Sequence, residues 1–263
     1  MGIGGLKKEF EDIFINAFSS RMYSEEDAEE CGLEAIKGIL LYGPPGTGKT
    51  TIASQIVNMV NASVKIVNGP EIMDKYFGES EKNIRDLFKD AEQEHNECKL
   101  KGTRSGLHII VFDEIDAICR RRGSAYGSAN VYDSMVNQLL SIFGGIKDRE
   151  MKNILVIGMT NRIDMIDEAL LRAGRFQIKL ELPLPDEEGR EQIFNIHAKK
   201  YKDKGKLAPD VDFKNLVSKT RNYSGAEIED LVKFAEKYAS KRLIPFGKTV
   251  SFDPEANKNF KIR

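Results

Sequence analysis

Five short apolar runs punctuate the chain: GILLY (38–42), VKIV (64–67), HIIVF (108–112), ILVIGM (154–159) and IKLEL (178–182). Several are nearly continuous rather than alternating, the pattern of strands covered on both faces. Between them apolar positions recur at intervals of three and four. Ala53, Ile56, Val57 and Val60 form one set, Ile84, Leu87, Phe88 and Ala91 a second, and Met135, Val136, Leu139, Leu140 and Phe143 a third. That spacing puts each set on one face of a helix. Strands alternating with helices predict an α/β domain over about residues 1–184, a central parallel five-stranded sheet flanked by helices.

The pattern changes after PLPDEEG (183–189), which reads as a hinge. EQIFNIH (191–197), FKNLV (213–217) and AEIEDLVKFAEKYASKRL (226–243) follow with no comparable strand run. Ser224 and Glu227 stand three apart ahead of Ile228, Leu231, Val232 and Ala235, the spacing of a capping box that opens an amphipathic helix. A small helical domain over 185–263 is expected.

Composition narrows the function classes without naming one. The chain has 263 residues, 41% apolar and 31% charged, with a formal net charge of −1. That balance gives no electrostatic case for a nucleic acid or an anionic membrane surface. The basic runs Arg120 to Arg122 and Lys199-Lys200 read as a solvated loop and helix end. Cys31, Cys98 and Cys119 are far apart and odd in number, so they suit a reducing compartment better than a disulfide framework. No stretch approaches the roughly 18 apolar residues of a membrane helix. The start, MGIGGLKKEF, is neither a signal nor a transit peptide, and Leu6 stands where a Gly2 myristoylation pattern needs Ser or Thr. The bare Met ahead of the fold reads as the edge of a segment from a longer chain.

GPPGTGKT (43–50) is a complete phosphate-binding loop between a strand and a helix. Its glycines let backbone N–H groups curl around phosphates, and the following helix adds a favourable field. Pro45, Gly46, Thr47, Gly48, Lys49, Thr50 and Thr51 are therefore expected to hold a nucleotide, Lys49 reaching the β- and γ-phosphates and Thr50 ligating Mg2+. A loop that holds phosphates does not by itself hydrolyse them. HIIVFDE (108–114) supplies the rest: Asp113 is suited to hold the magnesium through water, Glu114 to deprotonate the attacking water. An acidic pair after an apolar run is commonplace alone; the loop at 43–50 gives this one a role.

Asn161-Arg162-Ile163-Asp164 superficially resembles a guanine-recognition motif, but position 162 is Arg and no Asp-x-x-Gly follows the 108–112 strand. Asn161, just past a strand, is better placed to polarise water or touch a γ-phosphate. In ALLRAGRF, Arg172 and Arg175 flank Gly174 and are placed to project. Since Lys49 and Mg2+ already serve the phosphates from within the chain, these guanidiniums are expected to reach a neighbouring subunit's site, which implies a ring.

GPPGTGKT, NGPEIMDKYFGESEKNIRDLF, FDEIDAICRRRGS and TNRIDMIDEALLRAGRF together resemble the AAA branch of the AAA+ ATPases over nearly the whole chain. GIGGL (2–6), GLHIIVFDEIDAICRRRGS (106–124) and VIGMTNR (156–162) narrow the likeness to the first ATPase domain of the vesicle-fusing branch. The resemblance implies a P-loop NTPase core with a helical lid, ATP and Mg2+ as ligands, and a homo-hexamer. It matches Ile3 and Gly4 to the segment lining the adenine, His197 to a residue near base or ribose, and Gly225 and Ala226 to lid backbone over the base. By itself His197 reads as a core or solvated helix residue. Two departures stand out: Thr47 replaces a loop cysteine that some relatives carry, and Ala226 stands where many wider members have an arginine.

The resemblance also gives DKYFGESEKN (74–83) a role. Tyr76 and Phe77 before Gly78 match a loop lining the central pore, Tyr76 as the gripper and Phe77 as its neighbour, with Glu79 or Ser80 capping the next helix. RRRGSAYGSAN (120–130) reads equally as a second pore loop or as plain disorder. The branch pulls apart SNARE bundles with a SNAP adaptor, in the cytoplasm and peripherally at Golgi and vesicle membranes. An adaptor-binding domain and a second ring are expected outside this segment. A ubiquitin-linked segregase and a nucleotide-gated scaffold without turnover are the competing readings.

Overall fold

The structure, a computed structural model, describes residues 4–23, 25–74, 80–121, 129–144, 152–243 and 261–262. Along the chain run α1 (Lys7–Phe18), α2 (Glu25–Glu30), β1 (Gly38–Tyr42), α3 (Lys49–Met59), β2 (Ser63–Asn68), α4 (Gly69–Asp74), α5 (Ser80–Lys101), β3 (His108–Asp113), α6 (Ala129–Gly144), β4 (Ile154–Thr160) and β5 (Phe176–Glu181). Then come α7 (Glu187–Asp203), α8 (Phe213–Lys219) and α9 (Gly225–Leu243). The chain folds into two units. One joins Lys8–Pro44 with Lys49–Leu182; the other joins Pro183–Arg263 with Met1–Lys7 and Pro45–Gly48.

The first unit is built on a five-stranded sheet in the order β2-β3-β4-β1-β5, with every pairing parallel. All residues of β4 are buried, as are most of β1 and β3, because helices cover central strands of a parallel sheet on both faces. Leu40, Phe112, Val156 and Phe176 meet Ile84, Phe88, Met135, Leu139 and Phe143 in one core. Phe143 meets Phe176 edge-on, ring centroids 5.2 Å apart. Burying side chains of this size contributes about 1.5–3 kcal/mol each.

β1, β3 and β4 lie where the apolar runs put them, while β5 begins two residues earlier than expected. Polar Gln177 breaks the apolar pattern, yet Phe176 is fully buried and the Gln177 amide oxygen accepts the Lys37 N–H at 2.9 Å. Leu182 ends just past the strand, its N–H still donating to the Tyr42 carbonyl at 2.7 Å. The apolar runs do not reveal α1, which buries Phe10, Ile13 and Ala17. α5 continues through the polar stretch to Lys101.

The second unit packs Phe194, Tyr201, Val217, Ile228, Val232 and Ala239 of α7, α8 and α9 around one core. Its helices have defined starts. Asp186 caps α7 by accepting the Gly189 N–H at 2.7 Å, and Asp212 caps α8 by accepting that of Lys214 at 2.9 Å. The capping box at α9 forms: the Glu227 N–H donates to the Ser224 hydroxyl at 3.3 Å, and the Ser224 N–H to the Glu227 carboxylate at 2.7 Å.

Candidate functional site

Strands β3, β4 and β1 are neighbours, so the segments leaving their carboxyl ends share one edge of the sheet. Tyr42 is in register with Thr160, Phe112 with Gly158, and Asn68 with Asp113. The phosphate loop leaves β1, the Asp113–Glu114 pair ends β3, and Asn161 follows β4. That edge is where open α/β sheets take their ligands. The spacing of apolar runs in the sequence is what delivers these groups to one place.

Lys49 is buried at 9% exposure and opens α3. Its ammonium donates to the carbonyls of Gly43 at 2.9 Å and Pro44 at 2.7 Å. Burial holds its pKa below the ordinary lysine value, against the pull of nearby Asp113. Thr50 and Thr51 follow, exposed, in the first turn. Pro45 and Gly46 are exposed and Thr47 is buried. Gly46 and Gly48 adopt φ of +73° and +98°, a region that side chains resist. Such a run of backbone amides suits phosphate oxygens.

Asp113 is half-buried and accepts the Glu114 N–H at 3.0 Å. Glu114 is exposed and left-handed, φ +50°. That conformation costs a non-glycine residue about 1–3 kcal/mol and is held only where its surroundings insist. They do here. The Ala117 N–H donates to the Glu114 carbonyl at 2.9 Å, closing a 3-10 turn over Ile115–Ala117. Gly69, first residue of α4, lies against the same carbonyl: an added Cβ there would stand 2.4 Å from the Glu114 oxygen. No positive φ demands glycine at 69; the close approach does.

Asn161 is exposed in the turn after β4. The buried Thr160 hydroxyl donates to the Asp116 carboxylate at 2.7 Å and accepts the Arg162 N–H at 2.9 Å. Further along, Arg121 donates its N–H to the Met165 carbonyl at 2.8 Å, and the Asp167 N–H donates to that of Cys119 at 3.0 Å. An ion pair between Arg121 and Glu168 at 2.5 Å adds to this stitching. Burial raises the Cys119 thiol far above the ordinary cysteine range, leaving it inert.

Arg172 and Arg175 differ. Arg172 is exposed, whereas Arg175 is half-buried and donates to the Ala169 carbonyl. Between them Gly174 turns with φ +79°, and no described residue lies within 4 Å of where a side chain would stand.

The other nucleotide candidates gather in the second unit. Gly4 lies against Ile193 of α7, the Gly5 N–H donates to Gln192 at 2.8 Å, and half-buried His197 stands on the same helix. The Ala226 N–H donates to the Gly46 carbonyl at 3.1 Å, and Gly225 lies beside it. Ile3, Tyr76, Phe77, Gly78, Glu79 and residues 122–128 lie outside the described residues, as does the Ser80 side chain. Three contributors escaped the sequence reading: Gly69, Asp116 and Thr160. Asp116 was visible as a third carboxylate in FDEID; a glycine before proline signals only a turn.

Among the described residues no group of three His, Cys, Asp or Glu side chains converges as a metal cage. A hydroxyl and one carboxylate beside a phosphate loop instead form the donor set that suits magnesium, which keeps its waters and shares phosphate oxygens. No helix among the described residues is long and apolar enough to cross a membrane.

Residues 39–184 match the ATPase family associated with various cellular activities (AAA), and residues 210–253 match the AAA+ lid domain. The chain is 54% identical over its full length to the vesicle-fusing ATPase of Caenorhabditis elegans, covering 31% of that protein. It is 56% identical over 97% of its length to the vesicle-fusing ATPase of Dictyostelium discoideum, covering 34%. The vesicular-fusion protein sec18 of Schizosaccharomyces pombe is 55% identical over 95% of the chain, with 31% of that protein covered. The chain thus spans about a third of the length of these relatives. With the family's nucleotide-binding region matched from β1 to the end of β5, and its lid matched beyond, the chain belongs to the AAA family of ATPases.

Proposed function

We propose that this chain is the ATP-hydrolysing domain of a ring motor that remodels protein complexes. The single observation that carries the reading is the meeting of the phosphate loop, the Asp113–Glu114 pair and Asn161 at the carboxyl ends of three adjacent parallel strands. Lys49 would leave the Gly43 and Pro44 carbonyls for the β- and γ-phosphates, and the loop amides would cradle them. Thr50, with Asp113 through water, would hold Mg2+, which neutralises charge on the phosphates when bound. Glu114 takes the proton of the attacking water and Asn161 orients it. Arg172 and Arg175 complete the site of an adjoining copy, which makes the working form a homo-hexamer. Ile3, Gly4, His197, Gly225 and Ala226 hold the base and ribose. Movement between domains 1–184 and 185–263 about Pro183–Asp186 would then carry Tyr76, Phe77 and Gly78 along a captured polypeptide.

The relatives' names, vesicle-fusing ATPase and vesicular-fusion protein, support a client in membrane traffic. We assign the whole protein to SNARE disassembly with a SNAP adaptor, in the cytoplasm and peripherally at Golgi and vesicle membranes. Phosphate release by the wild-type chain and by Glu114→Gln, with ATP affinity by calorimetry, tests the chemistry. Retained ATP binding with hydrolysis lost supports it; equal turnover by both refutes it. Preference for GTP over ATP would restore the guanine reading. For the client, adaptor-bound SNARE complex should stimulate the full-length protein but not its Tyr76→Ala variant.

A further inference from the structure

We infer that Asp116 and Thr160 are positioning residues that lock the general base and the water-orienting amide into one rigid piece. The inference rests on the hydrolysis proposed above. Glu114 and Asp116 are two residues apart on the turn after β3; Thr160 ends β4, and Asn161 and Arg162 follow it in the turn. The side-chain hydrogen bond joining these turns runs from the Thr160 hydroxyl to Asp116 at 2.7 Å, and the same oxygen accepts the Arg162 N–H at 2.9 Å. Asn161 is thereby clamped from both sides, by the end of β4 before it and by the Arg162 amide after it.

The chemistry leaves little freedom. A carboxylate accepts and does not donate, so the single hydroxyl proton of Thr160 must point at Asp116. The lone pairs then face the Arg162 N–H. Thr160 is 2% exposed, so water does not substitute readily for either partner. Asp116 itself stands on a 3-10 turn whose first carbonyl belongs to left-handed Glu114. A shift of Asn161 therefore pulls on the turn that sets Glu114, and the reverse. Both groups must address one water molecule, where a misplacement of about 1 Å can lower a rate by roughly 10²-fold.

The test uses variants at positions 116, 160 and 161, with turnover measured against Mg-ATP concentration. Thr160→Val removes both hydrogen bonds at nearly constant shape; kcat should fall at least roughly tenfold with KM changed less than about twofold. Thr160→Ser keeps the hydroxyl and should restore kcat. Asp116→Ala should copy Thr160→Val, while Asp116→Asn, whose amide oxygen still accepts, should stay near wild type. In an Asn161→Ala background, Thr160→Val should cost clearly less than in the wild type, because only the part of its effect that passes through the Glu114 turn remains. Amide exchange at Arg162 reads the clamp without catalysis: it should quicken in Thr160→Val and not in Thr160→Ser.

Wild-type kcat in Thr160→Val, or an equal loss in the Asn161→Ala background, overturns the inference. Should the wild-type chain show no turnover even when assembled, the hydrolysis reading falls instead, and an unchanged Arg162 amide in Thr160→Val would then overturn the clamp by itself. If Thr160→Val does not fold, Asp116→Ala carries the same prediction and the same refutation.

Discussion

Two turns at the ends of the sheet make an instructive pair. The turn after β3 is gripped from several directions: Glu114 in a strained conformation, its carbonyl against both Ala117 and Gly69, Asp116 tied to Thr160. The turn at 172–175 is the opposite, with no described residue within 4 Å of where a Gly174 side chain would stand. One is finished within the chain; the other leaves Arg172 exposed while Arg175 is tied back to the Ala169 carbonyl. The difference teaches where rigidity is needed. On the proposed mechanism, groups that share one water molecule are preorganised, whereas a group meant for another molecule's site need only be presented.

The largest effect should come from the open turn. Arg172→Ala in the assembled enzyme should lower kcat by about 10³–10⁵ while leaving thermal stability unchanged, because the side chain is exposed. Mixing this variant with Glu114→Gln protein sharpens the point: an arginine supplied by a neighbour predicts partial recovery of turnover in mixed rings, and none if each chain serves itself. Arg175→Ala should also lower the midpoint of unfolding slightly, since its guanidinium holds the Ala169 carbonyl.

Next in size is a challenge to the gripped turn. Gly69→Ala places a methyl group 2.4 Å from the Glu114 oxygen, so either α4 or the Glu114 peptide must move. We expect kcat to drop by roughly 10²-fold with ATP affinity retained. Gly144→Ala is the control, because nothing among the described residues lies within 4 Å of its added Cβ. Equal effects of the two would remove the distinction between the turns.

Smaller still are effects away from the site. Ser224→Ala removes the cap of α9 and should destabilise the helical unit by about 1 kcal/mol, with little change in the midpoint of the sheet unit. The least is a pH effect at Glu94. Its carboxylate is held below the usual range by the Gly106 N–H and then by His108, so the stability it contributes is present above the unfolded carboxylate pKa. That contribution disappears as pH falls through the folded value. Glu94→Gln should flatten the acid limb of the unfolding curve.

The sequence made the gripped parts legible only in outline. GILLY, HIIVF and ILVIGM are buried strands with little polar interruption, so their positions could be read directly. Phe176 could not, because its burial depends on Phe143, a contact between distant segments. KKEFEDIFINAF carries Phe10, Ile13 and Ala17 at helical spacing, but its many charges mask the periodicity. Motif and strand context together singled out Lys49, Asp113, Glu114 and Asn161 as candidates. Asp116, Thr160 and Gly69 were missed because their work is relational: each matters through an atom contributed by another segment.

Glu114 has a further consequence for anyone altering this protein. A left-handed backbone favours glycine or asparagine over glutamate, so the residue best suited to the local shape is not the one proposed above to move a proton. On the proposed mechanism, selection for heat resistance alone, with position 114 free to vary, would drift toward sturdy chains that bind nucleotide and never release phosphate. Libraries meant to toughen the domain should therefore keep that site constant.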